Sequence, residues 1–269
     1  MTTLDQQQVQ AAAADLYRAE ISRAQITPLT QAYPGMDLDD AYAIQSAWVQ
    51  RKIAKGDPVI GYKIGLTSRA MQRAMNIDTP DFGILLQSMQ FSNRCRIVHA
   101  DFTDPRIEVE LAFVLKHRLF GDSLSIDDVL AATDYVTPSL ELIAARSFRT
   151  DPETGYTRTV MDTIADNAAN AGIILGEQRF LPDAIDMRWS GSILYRNDII
   201  EETGLAAAVL DHPANGICWI ARRFAQHGIA LEPGQILLSG SFTAPVIVRP
   251  GDRIRADYGP LGEIRCEFV

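Results

Sequence analysis

The chain has 269 residues, 47% of them hydrophobic and 22% charged, and a formal net charge of −9. Its length supports one or two domains with a large core, and its composition excludes wholesale disorder. The excess of acid, with no Lys/Arg-rich face, excludes a nucleic-acid partner held by its phosphates.

Cys95, Cys218 and Cys266 are odd in number, widely spaced and free of any Cys-x-x-Cys pattern. Neither a disulfide framework nor a zinc site is expected, and a cytoplasmic setting fits best. The N-terminus carries Asp5 and a polar Gln run where a signal peptide needs a basic start and an apolar stretch. No apolar run of membrane-spanning length follows, so a soluble, unprocessed chain with no membrane partner is expected.

In chain order, Val9, Ala13, Leu16, Tyr17 and Ile21 fall on one face of a helix predicted over residues 6 to 24. A second helix follows Asp37, which can cap its first turn, and ends at Gly56 and Pro58. The two are expected to form an N-terminal helical subdomain over 1–58, ahead of a mixed β domain over 59–269. Val59 to Ser68 reads as a strand in which Lys63 stands among small and apolar neighbours. Such surroundings disfavour an ammonium unless an anion answers it or it snorkels to solvent. The glycines around it lack the Gly-x-Gly-x-x-Gly order of a dinucleotide site. Ser68 to Met75 predicts a short helix and Asp78 to Gly83 a loop, where Asp81 is either a general base or a turn residue capping its own backbone.

The clearest period-two signal is Arg106 to Lys116. Ile107, Val109, Leu111 and Phe113 share one face, so Glu108 and Glu110 point together the other way. Acids at i and i+2 sit roughly 7 Å apart along a strand, and their side chains can converge. Glu141 stands alone among apolar residues in Pro138 to Ile143, and a buried carboxylate must be paired, protonated or bound to metal. If Glu108, Glu110 and Glu141 meet, their repulsion calls for a cation, and all-oxygen ligands select Mg²⁺ or Mn²⁺.

Ser125 opens a further helix that leads to the Glu141 strand. Residues 149 to 161 lose periodicity and form a loop long enough to act as a lid. Asp162 to Gly172 predicts a helix of small residues bearing amides, which either orient a substrate or satisfy backbone. From Ile173 the pattern is mostly β: Ile173 to Leu175, Met187 to Arg196 and Ile199 to Glu202, with a hairpin turn at Asn197-Asp198. A helix over Pro213 to Gln226 interrupts it. Ile236 to Thr243 then runs into a Gly-Ser loop whose amides and hydroxyls, including Ser239, Ser241 and Thr243, suit a carboxylate. Gly259 to Gly262 links the last two strands.

Taken in order, Gly61-Tyr62-Lys63-Ile64-Gly65-Leu66-Thr67-Ser68, Pro80-Asp81-Phe82-Gly83, Pro105 to Phe113, Leu140-Glu141-Leu142-Ile143, Asp166 to Gly172, His212 to Gly216 and Gly240-Ser241-Phe242-Thr243 cover nearly the whole chain. In these motifs it resembles the 2-hydroxypentadienoate hydratase and 4-oxalocrotonate decarboxylase family, which is related to the fumarylacetoacetate hydrolases. The resemblance implies an α+β fold with a mixed β-roll or barrel-like core and an N-terminal helical part. It implies Mg²⁺ or Mn²⁺ on Glu108, Glu110 and Glu141, and Lys63 and Asp81 as proton-transfer or orienting residues. Ile199 to Gly204 and Asp257-Tyr258-Gly259 incline it towards members that hydrate 2-oxo-hept-4-ene-1,7-dioate. Hydration of the shorter pentadienoate and decarboxylation of 2-oxo-3-hexenedioate stay open, as does a non-catalytic partner of a pathway enzyme. A homo-oligomer built on pentameric rings is implied by the same resemblance.

Overall fold

In the computed structural model, which describes residues 2–74 and 77–269, capping chemistry sets where the N-terminal helices begin. Helix α1 spans Gln6–Ser22 and α3 spans Leu38–Ile53, with the short α2, Leu29–Ala32, between them. Asp5 accepts from the Gln8 amide and Asp37 from the Asp40 amide, while each partner side chain reaches back to the cap's own N–H. Val9, Ala13 and Leu16 pack with Ala41, Ile44 and Trp48, and the same cluster takes in Leu86, Met89, Val160, Ile164 and Ala165 from later in the chain. Ile21, predicted on the packed face, is 61% exposed.

Thirteen strands follow among the described residues. The larger sheet contains β1 (Val59–Gly65), β2 (Asp81–Leu86), β3 (Gln90–Phe91), β5 (Arg106–Leu115), β6 (Thr133–Ile143), β7 (Asn170–Leu175), β10 (Ile236–Leu238) and β11 (Val246–Ile247). Its order is β2-β1-β10-β5-β6-β7-β3 with β11 beside β5, and only the β1–β10 and β3–β7 pairs are parallel. The smaller sheet runs β4 (Cys95–Ile97), β13 (Glu263–Phe268), β12 (Arg253–Asp257), β8 (Gly191–Arg196) and β9 (Ile199–Leu205). Ile107, Val109, Leu111 and Phe113 of β5 pack in one core with Leu194, Ile254, Ala256, Ile264 and Phe268 of the smaller sheet. The period-two face therefore forms the floor between the sheets, and the Glu face of β5 is turned away from it. Helices α4 (Arg69–Ala74), α5 (Ile126–Ala132), α6 (Val160–Ala165) and α7 (Ala214–Ala225) complete the α+β architecture expected from the sequence.

Several elements differ from their predicted form. Asp81 is not in a loop: it opens β2, which pairs antiparallel with β1 so that Gly83 faces Lys63. The amide-bearing segment is a helix only to Ala165; Asn167, Ala168 and Ala169 then adopt φ of +53°, +49° and +61°, and Asn170 begins a strand. The cause is tertiary. The Asn167 side chain accepts from the Ile84 amide at 2.8 Å and donates to the Ile84 carbonyl at 2.9 Å, pairing with β2 as a strand would. The strand predicted from Met187 starts at Gly191, the one predicted to Ser68 ends at Gly65, and Met75 of the predicted short helix lies outside the described residues, whereas Ile236–Leu238 runs into the Gly-Ser loop as expected. Asn197 and Asp198 turn the β8–β9 hairpin with φ of +54° and +67°, the pair of left-handed residues that a two-residue turn requires.

Candidate active site

Register brings the acids together. In the β5–β6 ladder Glu108 lies directly opposite Glu141, and Glu110 opposite Ser139. One carboxylate oxygen from each of Glu108, Glu110 and Glu141 lies within 4.8 Å of the others. Glu110 and Glu141 are buried and Glu108 is half-buried, so solvent reaches the cluster from the Glu108 side.

Two of the acids are oriented by neutral donors. Asn170 Nδ2 donates to Glu141 Oε1 at 2.8 Å, and the Gly240 amide donates to Glu110 Oε2 at 2.8 Å. The Gly-Ser loop thus does hold a carboxylate through its backbone, but the carboxylate is the protein's own. Gly240 sits at φ +119°, and a Cβ there would lie 2.2 Å from Thr67 Oγ1, so only glycine brings this amide so close. Tyr258, which directly follows β12, donates to the carbonyls of Glu110 and Ser139 and braces β5 and β6.

Lys63 and Asp81 complete the cluster. Lys63 Nζ lies 3.7 Å from Glu141 Oε1, and both side chains are almost fully buried. The glycines flanking them explain the room: a Cβ on Gly65 would lie 2.1 Å from Asp81 Oδ1 and 3.0 Å from Lys63 Nζ, and one on Gly83 would lie 3.3 Å from Lys63 Cε. Asp81 is held from the α3 side, where Tyr42 stacks on Phe82 at 4.5 Å and Gln45 Nε2 donates to the Phe82 carbonyl at 2.9 Å.

Electrostatics follow from this crowding. Burial first, and then the Glu141 charge, push the Glu108 carboxyl up to about 8, against the opposing pull of Lys63. Burial, Glu141 and Glu108 raise Glu110 well above the carboxylate range. Asp81 is raised by burial, with Lys63 opposing and Glu141 adding to the shift. Burial works against the Lys63 ammonium, but Glu141, Asp81, Glu108 and Glu110 outweigh it and hold its pKa above the lysine range. Four acids and one lysine leave this pocket short of positive charge, a deficit that a divalent cation would answer.

Of the three hydroxyl residues expected to bind substrate, Ser239 is fully buried and its Oγ has no hydrogen-bond partner. Ser241 donates to the Val109 and Thr243 carbonyls, and Thr243 Oγ1 accepts from the Val109 amide, so both close the loop onto β5. The amides of 162–172 divide by role: Asn167 serves backbone and Asn170 serves Glu141. Asp81 Oδ1, Ser139 Oγ and Asn170 Oδ1 are further buried atoms without a partner beside the cluster. A cavity of about 560 Å³ beside Tyr17, Lys52 and Arg146 contains none of the predicted site residues.

The model of the fumarylacetoacetate (FAA) hydrolase C-terminal family matches residues 62–269, a span that contains every residue of this cluster. The 2-oxo-hept-4-ene-1,7-dioate hydratase of Escherichia coli is 52% identical over 254 residues, covering 94% of this chain and 95% of the relative. A 4-oxalocrotonate decarboxylase of Pseudomonas putida is 34% identical over 269 residues, covering 99% of both. Among solved structures, the 4-oxalocrotonate decarboxylase from Pseudomonas putida G7 complexed with magnesium and adipate superposes with a TM-score of 0.94 at 32% identity over the full length of both chains. A family match across both sheets, and relatives alike from end to end, agree with the strand order and the acidic centre: the chain belongs to the fumarylacetoacetate hydrolase C-terminal family.

Proposed function

We propose that the chain is a divalent-cation-dependent hydratase that adds water to 2-oxo-hept-4-ene-1,7-dioate, the keto form of 2-hydroxyhepta-2,4-dienedioate, to give 4-hydroxy-2-oxoheptane-1,7-dioate. The observation that carries this reading is the meeting of Glu108, Glu110 and Glu141 within 4.8 Å beside a buried Lys63; the 52% identical hydratase supports the choice of substrate. The donor set fits a hard cation: three carboxylates, two of them raised by burial and by their neighbours, with Lys63 and Arg149 opposing the shift at Glu108. Glu108, Glu110 and Glu141 would hold Mg²⁺ or Mn²⁺, and the magnesium in the decarboxylase complex favours Mg²⁺. When bound, the ion supplies Lewis-acid polarisation of a 2-oxo acid.

The chain's own residues do the rest. Lys63, kept charged by four acids, stabilises negative charge as it grows on the C2 oxygen. Ketonisation of the dienol by a proton at C5 leaves C4 electrophilic by conjugation with the 2-oxo group. Asp81, whose Oδ1 has no partner, accepts the proton of the water that adds at C4, directly or through a second water. Ser239 Oγ, the unengaged hydroxyl of the Gly-Ser loop, binds a substrate carboxylate, with Ser241 and Thr243 fixing the loop around it. Burial of Lys63, Asp81, Glu110 and Glu141 limits the access of bulk water to these proton transfers.

The full-length likeness to a decarboxylase favours one second reading, loss of CO₂ from 2-oxo-3-hexenedioate at the same acids. Product analysis separates the two. With Mg²⁺, the seven-carbon dienedioate is expected to give a product heavier than substrate by one water, and 2-oxo-3-hexenedioate is expected to release no CO₂. CO₂ release from 2-oxo-3-hexenedioate, with no hydration of the dienedioate, would overturn the hydratase reading. We further propose a cytoplasmic homo-oligomer built on pentameric rings. The exposed apolar residues Trp189, Ile199, Ile200 and Leu205 around the β8–β9 hairpin support burial of that edge against another copy.

A further inference from the structure

Three arginines gather around Asp104, next to the half-buried Glu108. Arg106 is two residues before Glu108 on β5 and so shares its face. Arg149 and Arg158 come from the loop after β6, which folds on itself: the Arg158 amide donates to the Arg149 carbonyl at 3.0 Å, and Thr150 pairs with Thr157. That pairing sets the two guanidiniums side by side. Asp104, at φ +47°, is shared between Arg106, at 3.3 Å, and Arg149 Nε. The other acids nearby are committed elsewhere, Asp166 to Arg146 and Asp162 to Thr30 and Thr159. Among the described residues, Asp104 is therefore the one acid in an ion pair with any of the three.

Their donors are also unspent. Arg106 Nε, Arg149 Nη2 and Arg158 Nη1 are buried and have no acceptor. A buried guanidinium N–H without an acceptor is unfavourable, and three in one place point to an absent anion. Burial first, and the Arg149 charge second, push Arg158 down to about 10, against the weaker opposing charges of Asp166, Asp162 and Asp104. The Arg149 charge also acts on Glu108, which ties this arginine to the acidic centre.

We infer that Arg158 and Arg149, with Arg106 behind them, form the pocket that receives the second carboxylate of a dicarboxylic substrate. The inference rests on the proposed function for the substrate's other end, held at the Glu108 side. Residues two apart on a strand are separated by roughly 7 Å, a distance a seven-carbon chain covers between its terminal carboxylates. Guanidiniums pair with carboxylates through two parallel hydrogen bonds, which a neutral or methyl terminus cannot replace. The hairpin would then select dioates over monoacids, and its position on a loop lets chain-length preference change without disturbing the acids.

The test compares kcat/KM for 2-hydroxyhepta-2,4-dienedioate and 2-hydroxyhexa-2,4-dienoate, both followed as substrate consumed by the Mg²⁺-loaded full chain. The wild type is expected to prefer the dioate. In Arg158→Gln the dioate-to-monoacid ratio should fall by at least about tenfold, the effect of losing one charged hydrogen bond, mainly through KM of the dioate; Arg158→Lys should recover part of it. A ratio unchanged in Arg158→Gln and in Arg149→Gln, in a wild type that hydrates the dioate, overturns the pocket and leaves the hydratase reading standing. Should the dioate be consumed without forming a hydrated product, the hydratase reading fails while the ratio still decides the pocket. Inhibition of the wild type by 2-oxoheptanedioate and 2-oxoheptanoate needs no variant: a Ki lower for the dioate by at least about tenfold supports the pocket, and equal values contradict it.

Discussion

Lys63 and the acids around it determine how the protein responds to pH. Glu108 carries a carboxyl pushed from the ordinary 4.5 up to about 8, by burial and by Glu141. A carboxyl raised in the folded state binds its proton more tightly there than in the unfolded chain. Its contribution to stability is fully present below pH 4.5 and is lost as pH rises through about 8. A cation bound by the three acids would displace that proton, so its affinity should rise over the same range and its binding should release protons. Thermal unfolding of chelated protein is expected to occur at lower temperature at pH 9 than at pH 6, with the Mg²⁺-induced increase in Tm larger at pH 9. Equal Mg²⁺ shifts at the two pH values would contradict the raised carboxyls.

At the level of elements, the site depends on β2 and the Asn167 turn being laid very close together. A Cβ on Gly83 would lie 2.5 Å from the Asn167 carbonyl oxygen as well as crowding Lys63, and Asn167 is itself fastened to Ile84. Gly83→Ala is therefore expected to destabilise the protein by about 1–3 kcal/mol, the usual loss from overpacking, and to lower kcat by displacing Lys63 and Asp81. Denaturant unfolding and steady-state kinetics would measure both; an unperturbed midpoint would show that β2 and the Asn167 turn have slack between them. The same elements mark how far local pattern could be read. The β5 alternation and the capping residues Asp37 and Ser125 are local signals, and their elements form where expected. The turn at Asn167–Ala169 is imposed by hydrogen bonds to Ile84, some 80 residues earlier, and small residues that tolerate a helix carry no mark of it. Asp81 went unrecognised as a strand residue because Pro80 and Gly83 around it read locally as turn chemistry, whereas its pairing with Gly65 is long-range.

For the whole molecule, one core between two sheets supports an acidic centre on the far side of β5. Charged residues isolated among apolar neighbours, Lys63, Glu108, Glu110 and Glu141, were legible because burying a charge without a partner is so unfavourable that it signals a site. Their convergence was not legible, since it depends on Glu141 lying opposite Glu108 in a register that no short stretch encodes. The neutral partners were harder still: Asn170 and the Gly240 amide are ordinary in sequence and acquire meaning only from the carboxylate they face. Arg149 and Arg158 lie in a segment without periodicity, where the sequence indicates a loop and nothing of what it holds.

The central claim is that Glu108, Glu110 and Glu141 together hold one divalent cation on which turnover depends. Titration of chelator-treated protein with Mn²⁺, followed by electron paramagnetic resonance alongside consumption of the dienedioate, tests it most directly. The wild type is expected to bind one ion per chain, with activity rising in proportion to occupancy. Glu108→Gln, folded by circular dichroism, should lose more than about a hundredfold in affinity, beyond the loss usual for an outer-shell partner. Turnover that persists in the chelated wild type, or Mn²⁺ bound as tightly by Glu108→Gln, would contradict the account.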